Sequence, residues 1–114
     1  MNVLSRLDAS QKWTQEESML LDSVQQLARE KIAPRAAEYD KSGEFPWDNV
    51  QEINALGLNA MFIPEEYGGF GKNFNTSMLV ADIVGAGHSF AVAISAHTGI
   101  GTLPILYYGN EAQK

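Results

Sequence analysis

The apolar residues of this chain recur at helical spacing in one segment after another, and nowhere do they alternate over a useful length as a strand requires. In the first clear segment Leu20, Leu21, Val24, Leu27, Ala28 and Ile32 form one stripe on a 3.6-residue period. Just ahead of it stand Thr14 and Glu17, at the spacing of a capping box, in which each side chain satisfies a backbone donor of the other. Glu16 and Glu17 also suit the positive end of the helix dipole. Pro34 has no N–H and crowds the preceding turn, so it is expected to end or kink this helix near Ile32, with Arg35 to Tyr39 adding another turn or two.

The same reading continues along the chain. Asp40 to Glu44 is a polar turn around Gly43, and Pro46 opens a second helix carrying Trp47, Val50, Ile53 and Leu56 at every third position. Gly57 stands where a helix-ending glycine belongs. Leu58 to Ile63 is apolar but too short for a helix, and a glycine-rich loop, Glu65 to Gly71, follows Pro64. Asn75 or Thr76 is placed to cap a third helix with Leu79, Val80, Ile83 and Val84 on its apolar face, broken by Gly85 and Gly87. A fourth helix from about Ser89 holds Phe90, Val92, Ala93, Ile94 and Ala96; being apolar nearly all round, it is expected to be the buried helix of the set. Gly99, Gly101 and Pro104 should interrupt it, with Pro104 beginning a short helix over Leu103 to Tyr108. Asn110 and Gln113 repeat the capping pattern, so the chain stops at Lys114 on a helix start signal and reads as a piece of a longer one. The expectation is an all-α bundle of four to five helices over residues 13–114, behind a flexible arm over residues 1–12.

Composition narrows the functions open to such a bundle. At 114 residues the chain suffices for one core and not for two. A hydrophobic fraction of 45% with 19% charged residues is that of a globular chain rather than a disordered one. A net charge of −6, with no basic cluster, disfavours nucleic acid and anionic membranes. With no cysteine there can be no disulfide, thiolate metal site or cysteine nucleophile. No signal peptide is evident in Met1 to Trp13, and no apolar run approaches the roughly 20 residues of a bilayer span, so the expected location is the cytoplasm.

Four motifs invite a sharper reading. Tyr67-Gly68-Gly69-Phe70-Gly71-Lys72 lacks the spacing of a phosphate loop and is followed by Asn73, so its glycines are assigned to turns with positive φ. Gly85-Ala86-Gly87-His88 lacks the third glycine of a dinucleotide fingerprint and follows a helix. His88 and His97 share no helical turn, so no metal site is expected, and His97 is read as a core histidine or part of a pocket wall. Glu65 and Glu66 are read as solvated charges. Trp13, Trp47, Tyr107 and Tyr108 are read as packing residues, or in part as a surface that docks on other domains.

Three stretches, IAPRAAEYDKSGEFPWDNV from Ile32 to Val50, LGLNAMFIPEEYGGFG from Leu56 to Gly71 and SAHTGIGTLPILYYGNEAQK from Ser95 to Lys114, resemble the N-terminal helical domain of the acyl-CoA dehydrogenase family. The resemblance implies a parent enzyme that uses FAD to oxidise an acyl-CoA to the trans-2-enoyl-CoA and passes electrons to an electron-transferring flavoprotein. It further implies a homo-oligomeric parent whose catalytic carboxylate and flavin contacts lie in other domains, leaving no catalytic, cofactor-binding or metal-binding residue here. What the resemblance leaves to this domain is part of the acyl-chain pocket, with Val92, Ala96, Gly99, Ile100 and Leu103 as lining candidates on one helical face. Small residues at Ala96, Gly99 and Gly101 favour medium or long straight chains; the competing reading of these glycines is close helix packing. Acyl-CoA oxidases and flavin monooxygenases of the same superfamily carry a similar domain, and a non-catalytic helical interaction module is the contrasting class.

Overall fold

The computed structural model describes residues 12–114; apart from Lys12, the arm expected over residues 1–12 lies outside the described residues. Helix α1, Gln15–Leu27, starts at the capping box read from the sequence: the Glu17 N–H donates to Thr14 Oγ1 at 3.1 Å, and the Thr14 N–H to Glu17 Oε2 at 3.0 Å. It does not end at Ile32. One π turn, Ala28–Ile32, leads directly into α2, Ala33–Ser42, which closes on Gly43 in the left-handed conformation. The proline is accommodated by widening: the Ala33 N–H reaches back to the Ala28 carbonyl, and Pro34 then falls in the first turn of the next segment. A wider turn separates the proline ring from the carbonyl it would otherwise strike.

Helix α3, Trp47–Ala55, starts after Pro46 and closes at Gly57, whose φ is +69°. Single 3₁₀ turns at Leu58–Ala60 and Glu65–Tyr67 flank the connection to α4, Phe74–Val84. The cap of α4 is Asn73, not Asn75 or Thr76: its Oδ1 accepts the Thr76 N–H at 2.9 Å. Thr76 itself is fully buried, its hydroxyl donating to Glu17 Oε1 at 3.2 Å across to the start of α1. A 3₁₀ turn, Gly85–Gly87, and His88 at φ +54° redirect the chain into α5, Ser89–Ser95.

From Ser89 the helix continues for 20 residues to Tyr108. Gly99, Gly101 and Pro104 interrupt its regular α geometry without ending it, and the short segment expected over Leu103 to Tyr108 forms with those bounds. A second π turn, Ala96–Gly101, carries the two glycines, and Pro104 lies in the first turn of α6, Leu103–Tyr108. Contrary to the expectation that no apolar run approaches a bilayer span, this helix, with a mean hydropathy of 1.4, is long and apolar enough by length and composition to cross a membrane, because the glycines do not end it. At the end of the chain Asn110 and Gln113 do form the reciprocal cap, at 2.9 and 3.1 Å. The described residues form helices and turns with no strand, as the periodicity requires.

The core lies where α1, the first π turn, α3, α4 and the start of α5 meet. Val24, Ile32, Ile53 and Val84 are almost wholly enclosed, joined by Leu21, Leu27, Leu58, Met61, Val80 and Phe90. Burying a side chain of this size is worth about 1.5–3 kcal/mol, so this cluster is the main source of stability. Two polar ties fix the elements around it. Lys31 Nζ lies 2.7 Å from Glu52 Oε1, and Arg35 Nη1 donates to the buried Asn49 Oδ1 at 3.2 Å, linking the long first helix to α3.

Candidate functional site

The helix from Ser89 to Tyr108 differs from expectation in its burial: of its α5 residues only Phe90 is enclosed. One side is open. Val92 is 70% exposed and Ile100 82% exposed, and Ala96 between them is also exposed. Further along, Ile105, Tyr107 and Tyr108 are exposed as well, so the two tyrosines are not packing residues within this domain. His97 is exposed rather than buried in a core.

The other side borders a half-open cavity of about 230 Å³ against α4 and α3. Ala91, Ile94, Ser95, Thr98, Gly99 and Leu103 line it from the long helix; Ser77, Met78 and Ala81 of α4 are among those facing them. The five lining candidates therefore divide. Gly99 and Leu103 face this cavity, while Val92, Ala96 and Ile100 belong to the open face. The extra residue of the π turn rotates the later positions relative to a regular helix, which is why a single face drawn at 3.6 residues per turn does not hold together. Ala91, Ile94, Ser95 and Thr98 escaped the sequence reading although their own helical spacing could have indicated them; two of them are hydroxyl residues, and an apolar criterion passes over those.

The cavity has the chemistry of a hydrocarbon site. No titratable side chain lines it. The Thr98 hydroxyl donates to the Ile94 carbonyl at 2.8 Å and the Ser77 hydroxyl to the Asn73 carbonyl at 3.1 Å, so both are satisfied within their own helices. A wall of this kind can hold an apolar group and cannot transfer a proton.

The glycine-rich loop has a different task. Gly68 and Gly71 take φ of +85° and +56°, the turn conformations expected of them. From Gly68 to Lys72 every amide is engaged: Gly68 donates to Glu65 O, Gly69 to Pro64 O, Phe70 to Ala60 O, Gly71 to Ile63 O and Lys72 to Met61 O, at 2.8–3.1 Å. None of these N–H groups remains for a phosphate. Lys72 Nζ lies 2.8 Å from Glu16 Oε1, a hydrogen bond that raises the lysine's pKa, and this pins the loop to α1. Glu17 is held below the ordinary glutamate range, first by the Thr14 backbone N–H, with the Thr14 and Thr76 hydroxyls adding to the effect against partial burial.

Beside this loop lies a second, more open cavity of about 400 Å³, with Ile63, Tyr67, His97, Thr102 and Lys114 among its lining. The Tyr67 hydroxyl donates to Glu111 Oε2 at 3.0 Å there, and that bond raises the tyrosine's pKa. Among the described residues no cluster of three or more His, Asp or Glu side chains is arranged to hold a metal ion.

An all-α domain with one long helix open on one side and hollow beneath the other is what the geometry defines. Residues 14–114 match the acyl-CoA dehydrogenase N-terminal domain. The chain is 39% identical over 102 residues to an acyl-CoA dehydrogenase of Bacillus subtilis, covering 89% of this chain and 27% of the relative. It is 34% identical over 103 residues to a probable acyl-CoA dehydrogenase of Mycobacterium tuberculosis, at 90% and 26% coverage. A 3-sulfinopropanoyl-CoA desulfinase of Paraburkholderia xenovorans is 33% identical over 102 residues, at 89% and 26%. The chain belongs to the acyl-CoA dehydrogenase family as its N-terminal helical domain, and spans about a quarter of the length of these relatives.

Proposed function

We propose that this domain serves a flavin-dependent acyl-CoA dehydrogenase, which converts an acyl-CoA to its trans-2-enoyl-CoA, and that it supplies part of the acyl-chain pocket. The observation that carries this reading is the open face of the long helix. Val92, Ala96 and Ile100 present an apolar surface that the described residues leave uncovered, on a helix belonging to the family's N-terminal domain. An apolar surface of this kind favours a hydrocarbon chain by about 0.8 kcal/mol for each methylene it helps to bury. The same face, closed over by further protein, accounts for the helix's hydropathy without a membrane.

The base, the FAD and the docking of an electron-transferring flavoprotein belong in this reading to the parent enzyme, which works as a homo-oligomer. Abstraction of a weakly acidic Cα proton needs a placed base and donors for the developing enolate. The cavity walls described above offer neither. The family includes a relative whose name carries a CoA thioester and a desulfinase reaction, which supports a CoA thioester as substrate class while the reaction varies among members.

The test is an anaerobic titration of the full-length polypeptide bearing this domain with acyl-CoAs of graded length, following the oxidised flavin band. Bleaching by a defined range of chain lengths is expected, with reoxidation by an electron-transferring flavoprotein rather than oxygen. Replacing Val92 or Ile100 by Trp should shorten the longest chain that bleaches the flavin by two or more carbons. An unchanged profile in both variants removes the wall role; a flavoprotein that no acyl-CoA bleaches removes the dehydrogenase reading itself.

A further inference from the structure

The two π turns of this fold are held in place by different means. The first, Ala28–Ile32, is locked by packing: Ala28 is buried and Ile32 is wholly enclosed. The second, Ala96–Gly101, contains no buried residue. A π turn is rare within an α-helix, so one lying at the surface needs local support. Two adjoining residues supply it. The Thr102 hydroxyl donates to the His97 carbonyl, five residues back, at 2.6 Å. In a regular helix a threonine hydroxyl reaches the carbonyl three or four residues back, as Thr98 does with Ile94 at 2.8 Å. The longer backward reach belongs to the wide turn alone. A Cβ at Gly101 would meet the Ala96 carbonyl oxygen, again five residues back, at 3.2 Å, so the glycine lets that carbonyl approach. At Gly99, in the same turn, a Cβ would meet nothing within 4 Å.

We propose that Thr102, together with Gly101, is a positioning residue that fixes the rotational register of the long helix through its bond to the His97 carbonyl. An α-helix advances about 100° and about 1.5 Å per residue, so relaxing the wide turn to α geometry would move the segment beyond it by about one such step. Leu103–Tyr108 would rotate against Ser89–Ser95, which Phe90 anchors in the core. Leu103 would then leave the cavity it lines with Ala81, and Ile105 and Leu106 would leave the second cavity beside the glycine-rich loop. Glu111 would leave Tyr67, whose hydroxyl ties the far end of the helix to that loop at 3.0 Å. Ile100, inside the turn, would shift on the open face relative to Val92 and Ala96. The lock stands on geometry alone; its part in acyl-CoA binding rests on the function proposed above.

The first experiment follows backbone amide and Tyr67 ring signals by NMR in the 114-residue chain. Thr102→Val keeps the side-chain shape and removes the donor. It should displace the amide signals of Leu106 to Glu111 and return Tyr67, whose pKa the Glu111 bond raises, toward the ordinary tyrosine range. The methyl signals of Val24 and Ile53 in the core should stay where they are. Thr102→Ser retains a hydroxyl and should restore the parent pattern. Gly101→Ala should act like Thr102→Val, through the Ala96 carbonyl. Gly99→Ala gains the same helix propensity without that contact and should match the parent. Parent signals in Thr102→Val, a serine variant that behaves like valine, or equal displacement by both alanine variants overturns the lock. The second experiment is flavin bleaching in the full-length protein. Thr102→Val should raise the acyl-CoA concentration for half-bleaching at least threefold at every chain length, with flavin content unchanged, and Thr102→Ser should restore it. A displaced helix end with unchanged half-bleaching overturns the part in acyl-CoA binding. Displacement in a protein that no acyl-CoA reduces supports the lock and defeats the functional reading instead.

Discussion

Gly87 carries more of the fold than a glycine between two helices suggests. Its hypothetical Cβ would press on Ile32 at 2.7 Å and on Phe90 at 3.2–3.3 Å, and both side chains are almost fully enclosed. Ile32 is β-branched and sits in the first π turn, so it has little freedom to withdraw. Overpacking of this kind costs about 1–3 kcal/mol. Gly87→Ala should therefore lower the unfolding free energy by that amount, read as a lower urea midpoint at unchanged slope; an unchanged midpoint would show that the turn before α5 shifts freely. The sequence marks Gly87 as a helix breaker and stops there, because its contact with Ile32 joins residues 55 positions apart. Gly43 and Gly57 were legible since their positive φ answers to a local helix end, whereas Gly87 acquires meaning only once Ile32 and Phe90 are packed against it.

Local chemistry also made the start of α1 legible, and there the capping residue acquires a second duty. Glu17 closes the box with Thr14, and it receives the Thr76 hydroxyl from the buried start of α4. These bonds favour its charged form, so its pKa in the folded chain lies below its value in the unfolded one. The stabilisation is then complete above the ordinary glutamate pKa, and it is lost as pH falls through the lowered folded value. Glu17→Gln keeps a capping side chain but does not titrate, so its stability should fall less steeply across the acid limb than that of the parent chain. Parallel slopes in denaturant titrations from neutral to acid pH would assign the acid sensitivity to other carboxylates. The cap of α4 was misplaced by two or three residues because Asn73, Asn75 and Thr76 are all capable N-caps; burial of Thr76 against Glu17 decides among them. The prolines located the segment boundaries, near Ile32 and at Leu103, but not their form: each follows a π turn, and a rule about a lost donor does not anticipate a helix that widens and goes on.

At the scale of the molecule, the same apolar composition that led the fourth helix to be expected in the core leaves it half open. Hydrophobicity states that a face will be covered and does not name the cover, and most of the exposed apolar side chains late in the chain lie on this one helix. The chain on its own should therefore self-associate through Val92, Ile100, Ile105 and Tyr107, despite a net charge of −6 that keeps copies apart at low salt. Each valine or isoleucine newly buried contributes about 1.5–3 kcal/mol, or tenfold or more in the association constant. Sedimentation velocity at rising concentration should show dimers or larger species, more strongly as salt screens the negative charge. The double variant Val92→Glu with Ile100→Glu should sediment as a monomer while keeping its helical circular dichroism, since neither side chain belongs to the core. A parent chain that stays monomeric at high concentration and high salt, and binds no apolar dye, would mean that this face is tolerable to water as it stands. The case for an acyl-chain wall would then rest on family membership and on the cavity beneath the helix rather than on any demand for cover.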